Sequence, residues 1–101
     1  MNWTFRREYE NFAQKPGEPV EEMYGRFQVA INKLHANKSA TDYFPTDHEQ
    51  ALKLLHTLDP KIWEVTATAI VEGSTYETLT TAQLFSKLKA SEVDRQLQSS
   101  P

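Results

Sequence analysis

The strongest constraint in this chain is an unbroken apolar stripe in which Val20, Met23, Tyr24, Phe27, Ala30, Ile31 and Leu34 recur at i, i+3, i+4, i+7, i+10, i+11 and i+14. This spacing dictates one long amphipathic helix that must bury a face. Pro19 suits its first turn, where no backbone N–H is needed, and Glu21 and Glu22 lie well for the positive end of the helix dipole. On the opposite face, Gly25 and Val29 sit one turn apart. Either the glycine is simply tolerated, at about 1 kcal/mol relative to alanine, or it marks a surface of close contact.

The rest of the chain supplies further helices. Phe5, Tyr9 and Phe12 at i, i+4, i+7 predict a short helix within residues 2–13, stopped by Lys15-Pro16-Gly17, with Trp3 off its main face. An abrupt opening into a helix is consistent with an excised fragment carrying an added Met1. Residues 35–45 read as a polar loop ending in an apolar plug, Tyr43-Phe44-Pro45. Thr46 with Glu49 forms a capping box for a helix over 47–58 that carries Ala51, Leu52, Leu54, Leu55 and Leu58. Asp59 and Pro60 open the next helix and Gly73 closes it. With Ile62, Trp63, Val65, Ala67, Ala69, Ile70 and Val71, that helix is apolar on nearly all sides. It is therefore either central to the core or partly covered by a partner. Leu79, a cap at Thr80 and a hydrophobic staple at Leu84 begin the last helix, which brings Leu84, Phe85 and Leu88 to the core. The polar segment from Asp94 onward is expected to fray. The expected fold is all-α, a compact bundle of about five helices: one domain over 1–94 with a flexible tail over 95–101.

Composition removes whole classes of function. At 101 residues the chain holds one domain, and 39% hydrophobic and 11% aromatic residues give too much burial potential for a disordered tail. A net charge of −3 is the wrong sign for a domain that grips phosphates, so no direct nucleic-acid contact is expected. No cysteine is present, which excludes a disulfide framework, thiolate zinc and a cysteine nucleophile. The longest apolar run is far short of the ~20 residues of a membrane span, and the amino end lacks the apolar block of a signal peptide. The expected location is the cytoplasm, away from membranes. His35, His48 and His56 lack metal-ligand spacing, no serine lies in a G-x-S-x-G context, and the glycines at 17, 25 and 73 are too scattered for a phosphate loop. The carboxylates read as caps or exposed helix partners, for example Glu22 with Arg26 at i, i+4. Neither catalysis nor a cofactor or metal is expected.

One constellation remains. Gln14, Glu18 and Arg26 bracket the Pro-Gly turn and the start of the best helix, in the frame Gln14-Lys15-Pro16-Gly17-Glu18-Pro19-Val20-Glu21-Glu22-Met23-Tyr24-Gly25-Arg26-Phe27. An amide, a carboxylate and a five-donor guanidinium at this spacing can tie the turn to the helix. A bland alternative is an exposed Glu22–Arg26 pair with a solvated Gln14.

The frame resembles the major homology region of retroviral and retrotransposon capsid proteins: Gln, then Glu four residues on, then Arg eight further, followed by an aromatic. Gln14, Glu18, Arg26 and Phe27 match it position by position. Retroviral members usually place glycine directly after the Gln, where this chain has Lys15 and holds its glycine at Gly17. The order of helices that follows is similar to a capsid carboxyl-terminal domain. Leu58-Asp59-Pro60, Trp63, Thr66-Ala67-Thr68-Ala69-Ile70 and Leu84 to Glu92 resemble, in order, segments of the Gag polyprotein of plant copia-type LTR retrotransposons.

The resemblance implies a structural role, self-association of Gag into a virus-like particle that packages RNA. The partner would be another copy of the chain, as a homodimer or within a larger assembly, through a modest symmetric interface. Gln14, Glu18, Arg26 and Phe27 would be scaffold residues. In retroviral members of that family the helix after the loop builds a two-fold dimer, which here is the helix over 47–58, and the resemblance carries over the helix without individual contacts. From the residues themselves, Leu52 and Leu54 on opposite edges of its wide apolar arc, with Gly25 and Val29, are the candidate interface positions. The RNA-binding knuckle of Gag lies downstream of such a domain, in keeping with the acidic charge here. The alternative is a domesticated Gag-derived adaptor that binds a partner peptide in a groove.

Overall fold

Five α-helices form where periodicity and caps place them: α1 (Trp3–Glu10), α2 (Val20–Ala36), α3 (Asp47–His56), α4 (Pro60–Glu72) and α5 (Thr81–Ser99). A single 3-10 turn, Tyr76–Thr78, precedes α5. The computed structural model describes residues 3–99, and among these there is no strand. Expectations for the Trp3 side chain, for Met1 and for residues 100 and 101 fall outside the described residues. No helix in the described part is long and apolar enough to cross a membrane.

The caps explain the boundaries. The Thr46 hydroxyl accepts from the Glu49 N–H (3.2 Å) while the Glu49 carboxylate accepts from the Thr46 N–H (3.0 Å), the reciprocal box that starts α3. Asp59 accepts from the Lys61 N–H at 3.0 Å, and Pro60 occupies the first helical position of α4. Thr80 and Gln83 repeat the reciprocal arrangement ahead of α5, at 3.0 and 3.1 Å. Leu79 and Leu84, both fully buried, flank this cap as the staple requires. α5 then continues through Ser99, well into the segment whose polarity suggested fraying. Conversely, α3 ends at His56, and Leu58 is buried from the linker rather than from the helix.

The start of α2 is capped from a distance. Pro19 offers no side-chain acceptor, and the Glu92 carboxylate on α5 accepts from the Val20 N–H at 2.9 Å. A charged acceptor on an orphan donor at the positive end of a helix both satisfies that donor and complements the dipole. Removing a cap of this kind costs about 1–2 kcal/mol. Glu92→Ala should therefore lower the melting temperature by roughly 5–10 °C, with Glu92→Gln losing less because an acceptor remains; calorimetry on the three proteins reads this directly.

The stripe on α2 makes the floor of the core. Val20, Met23, Phe27 and Ile31 pack with Phe12, with Ala51, Leu54, Leu55 and Leu58 from α3 and its linker, and with Trp63, Leu79, Leu84 and Leu88, while Leu34 is buried at the far end of the stripe. Phe12 meets Phe27 edge-on with centroids 5.1 Å apart, and Tyr24 stacks on Phe85 at 4.4 Å. The beginnings of α3 and α5 are pinned together: the Asp47 carboxylate accepts from the Thr81 N–H (3.0 Å) and hydroxyl (2.8 Å). Beside them the His48 Nδ1 lies 2.8 Å from the Leu79 carbonyl, which can only accept, so the proton resides on Nδ1.

Of the two placements open for α4, the structure rejects the central one. Only Trp63 is buried, with Ala67 and Ile70 partly covered, while Ile62 is 40%, Val71 42% and Val65 84% exposed. Held at its two ends by the Asp59 linker and the 3-10 turn, the helix lies at the rim of the bundle and turns a single face inward.

Candidate functional site

The turn before α2 is set by its own residues. The Glu18 N–H donates to the Lys15 carbonyl at 3.0 Å, with Pro16 and Gly17 between them and Gly17 at φ +73°. Proline followed by a residue in the left-handed region is the signature of a type II turn, and only glycine occupies that second position without strain.

Around this turn Gln14, Glu18 and Arg26 form one connected network. Arg26 grips Glu18 in a bidentate fork, Nε to Oε2 at 2.7 Å and Nη2 to Oε1 at 2.6 Å, and Nη2 also donates to the Ala13 carbonyl at 2.9 Å. The Glu18 Oε1 accepts in addition from the Lys15 N–H at 3.0 Å. Gln14 works in both directions: its Nε2 donates to the Glu18 carbonyl and its Oε1 accepts from the Asp59 N–H, both at 2.9 Å. Its own N–H donates to the Thr57 carbonyl at 3.0 Å. The guanidinium lies 4.6 Å above the Phe12 ring, and Phe12 packs in turn on the fully buried Phe27.

The turn from Ala13 to Glu18 is thereby tied both to Arg26 in α2 and to the α3–α4 linker 45 residues away. The Glu22–Arg26 alternative is not formed, because the guanidinium turns to Glu18 instead. The reason is geometric. A carboxylate at Glu18 is already fixed by a backbone N–H and is 6% exposed, so it presents both oxygens to the fork, whereas Glu22 lies in solvent.

The Arg26 hydrogen bonds hold the Glu18 carboxyl below its ordinary value of 4.5, outweighing the opposing effect of burial, and Glu18 in turn raises Arg26. A depressed carboxylate contributes stability that is fully present above the unfolded value and is lost as pH falls through the folded one. The melting temperature should therefore drop on acidification below about pH 4.5 more steeply in the wild type than in Glu18→Gln. Parallel slopes for the two proteins, measured by thermal denaturation across that range, would remove Glu18 from the acid response.

The candidate interface positions divide. Gly25 and Val29 face outward, Val29 at 53% exposure, and a Cβ built on Gly25 meets nothing within 4 Å. The glycine therefore relieves no crowding inside the monomer. Leu52 is half-buried at the wall of a cavity of about 410 Å³ between α1 and α3, with Tyr9, Leu34, Tyr43 and Pro45. Burial there pushes the Tyr9 phenol up to about 12. Leu54 is corrected: at 1% exposure it belongs to the core, because α3 turns Ala51, Leu54 and Leu55 inward together. It cannot meet a partner without opening the bundle.

The histidines take local duties: His48 bonds the Leu79 carbonyl, the His56 Nδ1 lies 2.7 Å from the Leu52 carbonyl, and His35 packs edge-on to Phe44. Among the described residues no three His, Asp or Glu converge in a metal-binding group. Comparison with protein families, curated proteins and solved structures finds no match to this chain.

Proposed function

We propose that this chain is a capsid-type assembly module of a Gag polyprotein, similar to those of copia-type LTR retrotransposons, acting in the cytoplasm by self-association in virus-like particles. One observation carries the reading: the residues by which the sequence resembles the major homology region, Gln14, Glu18 and Arg26, engage one another in a single hydrogen-bonded unit that aims α2. An isolated sequence coincidence gives no reason for three such residues to bond to each other and to the α3–α4 linker. The role is structural, and the net charge of −3 leaves RNA capture to another segment of the polyprotein.

A second reading rests on a separate observation, the α1–α3 cavity with Leu52 at its wall. A domesticated adaptor would use such a groove for an apolar side chain of a partner peptide. Sedimentation equilibrium over a concentration series separates the two. An assembly module should show reversible association above the 11.6 kDa monomer; a strict monomer at millimolar concentration contradicts the assembly reading and leaves the adaptor.

A further inference from the structure

α4 is the anomaly of the bundle, an apolar helix that buries one large side chain. Ile62, Val65 and Ala69, all exposed, fall within about 60° of one another at the α-helical period. They make a narrow convex strip with no covering element among the described residues. Two charges lie along one edge of it. Lys61 and Glu72 are within about 20° of each other around the helix and separated by about 16 Å along its axis. Both are exposed, and neither forms an ion pair among the described residues.

Their placement is the wrong way round for their own helix. A cation in the first turn and an anion at the last residue both oppose the macrodipole. Laid antiparallel on a second copy about a two-fold axis, the strip becomes self-complementary. Such an axis keeps each edge on its own side, so Lys61 of one copy meets Glu72 of the other, and the exchange occurs twice. Each charge then also sits over the favourable end of the partner's dipole. Ile62 comes to lie over Ala69 of the second copy, with the two Val65 side chains near the axis.

We infer that the outer face of α4, Ile62, Val65 and Ala69 flanked by Lys61 and Glu72, is a two-fold antiparallel contact with a second copy of this chain. The inference rests on the assembly reading and moves the contact from the helix over 47–58 to the next one. A single helix pair buries an area at the small end of protein interfaces, so the contact is weak and reversible, below the ~1,200 Å² of a stable complex.

Mixing experiments test it. Sedimentation equilibrium is run on the wild type, on Val65→Asp, on Lys61→Glu, on Glu72→Lys and on an equimolar mixture of the two charge variants. All three positions are exposed, and circular dichroism melts verify that each variant folds. Each variant alone should associate at least ~10-fold more weakly. The mixture should recover toward the wild type, because in the mixed pair both cross-contacts again join an acidic side chain to a basic one. Glu72→Lys reduces the net negative charge and would strengthen association if global charge governed it. Wild-type association unaltered by the variants, or weakened without rescue by mixing, overturns the α4 contact and leaves self-association standing. A wild type that stays monomeric at millimolar concentration overturns both.

Discussion

Trp63→Ala is expected to cost about 3–5 kcal/mol, the range for removing a fully buried large aromatic. Trp63 is 1% exposed and is the one α4 residue wholly inside the core, so the substitution opens a cavity and releases the helix's principal anchor together. With the Arg95 guanidinium 4.3 Å above the ring, the stacking of α5 on that face is lost as well. A small domain of this size has roughly 5–15 kcal/mol in total, so the melting temperature should fall by about 15–25 °C. Trp63→Phe keeps most of the volume and removes an indole N–H that has no acceptor among the described residues. Its cost should be about 1 kcal/mol or less. Comparable losses for the two variants would mean that α4 is not held by the bulk of this ring.

Arg26→Ala comes second. It strips the fork from a carboxylate that is 6% exposed and leaves the Ala13 carbonyl without its side-chain donor. Breaking a buried pair by removing one partner costs about 3–5 kcal/mol. With the guanidinium itself about a third exposed, the expected loss is nearer 2–4 kcal/mol, since water can reach the site. Arg26→Lys should recover only part, because an ammonium cannot present two parallel donors to Glu18. Denaturant titration of the three proteins gives the ordering wild type, Lys, Ala. An alanine variant as stable as the wild type would mean that the turn holds without the fork.

The local signals were legible because they are local. The capping box at Thr46, the Asp59-Pro60 start and the Leu79–Leu84 staple each occupy a few adjacent residues, and the α2 stripe repeats at a fixed period. The Gln14, Glu18 and Arg26 frame is also compact enough to read, although its link to Asp59 spans 45 residues. What sequence could not reveal are caps and pins supplied across the fold. Glu92 caps α2 from 72 residues away, and Asp47 pins the start of α5 from 34. Each looks like an ordinary solvated carboxylate in the sequence. Leu54 failed for a different reason. Four leucines within and after α3 cover a wide arc, and periodicity alone does not tell which edge meets the core; the position of α5 decides it. α4 shows the converse, where an apolar composition left both a central and a partner-covered helix open, and only the exposure of Ile62, Val65 and Val71 sets it at the rim.

Whether Glu18 and Arg26, the centre of the network, act as one unit is tested most directly by a double-mutant cycle, with Glu18→Ala, Arg26→Ala and the double variant compared by urea denaturation. Coupling of at least ~1.5 kcal/mol is predicted, so that the double variant is barely less stable than the worse single one. Additive losses, with coupling within about 0.3 kcal/mol of zero, would contradict it.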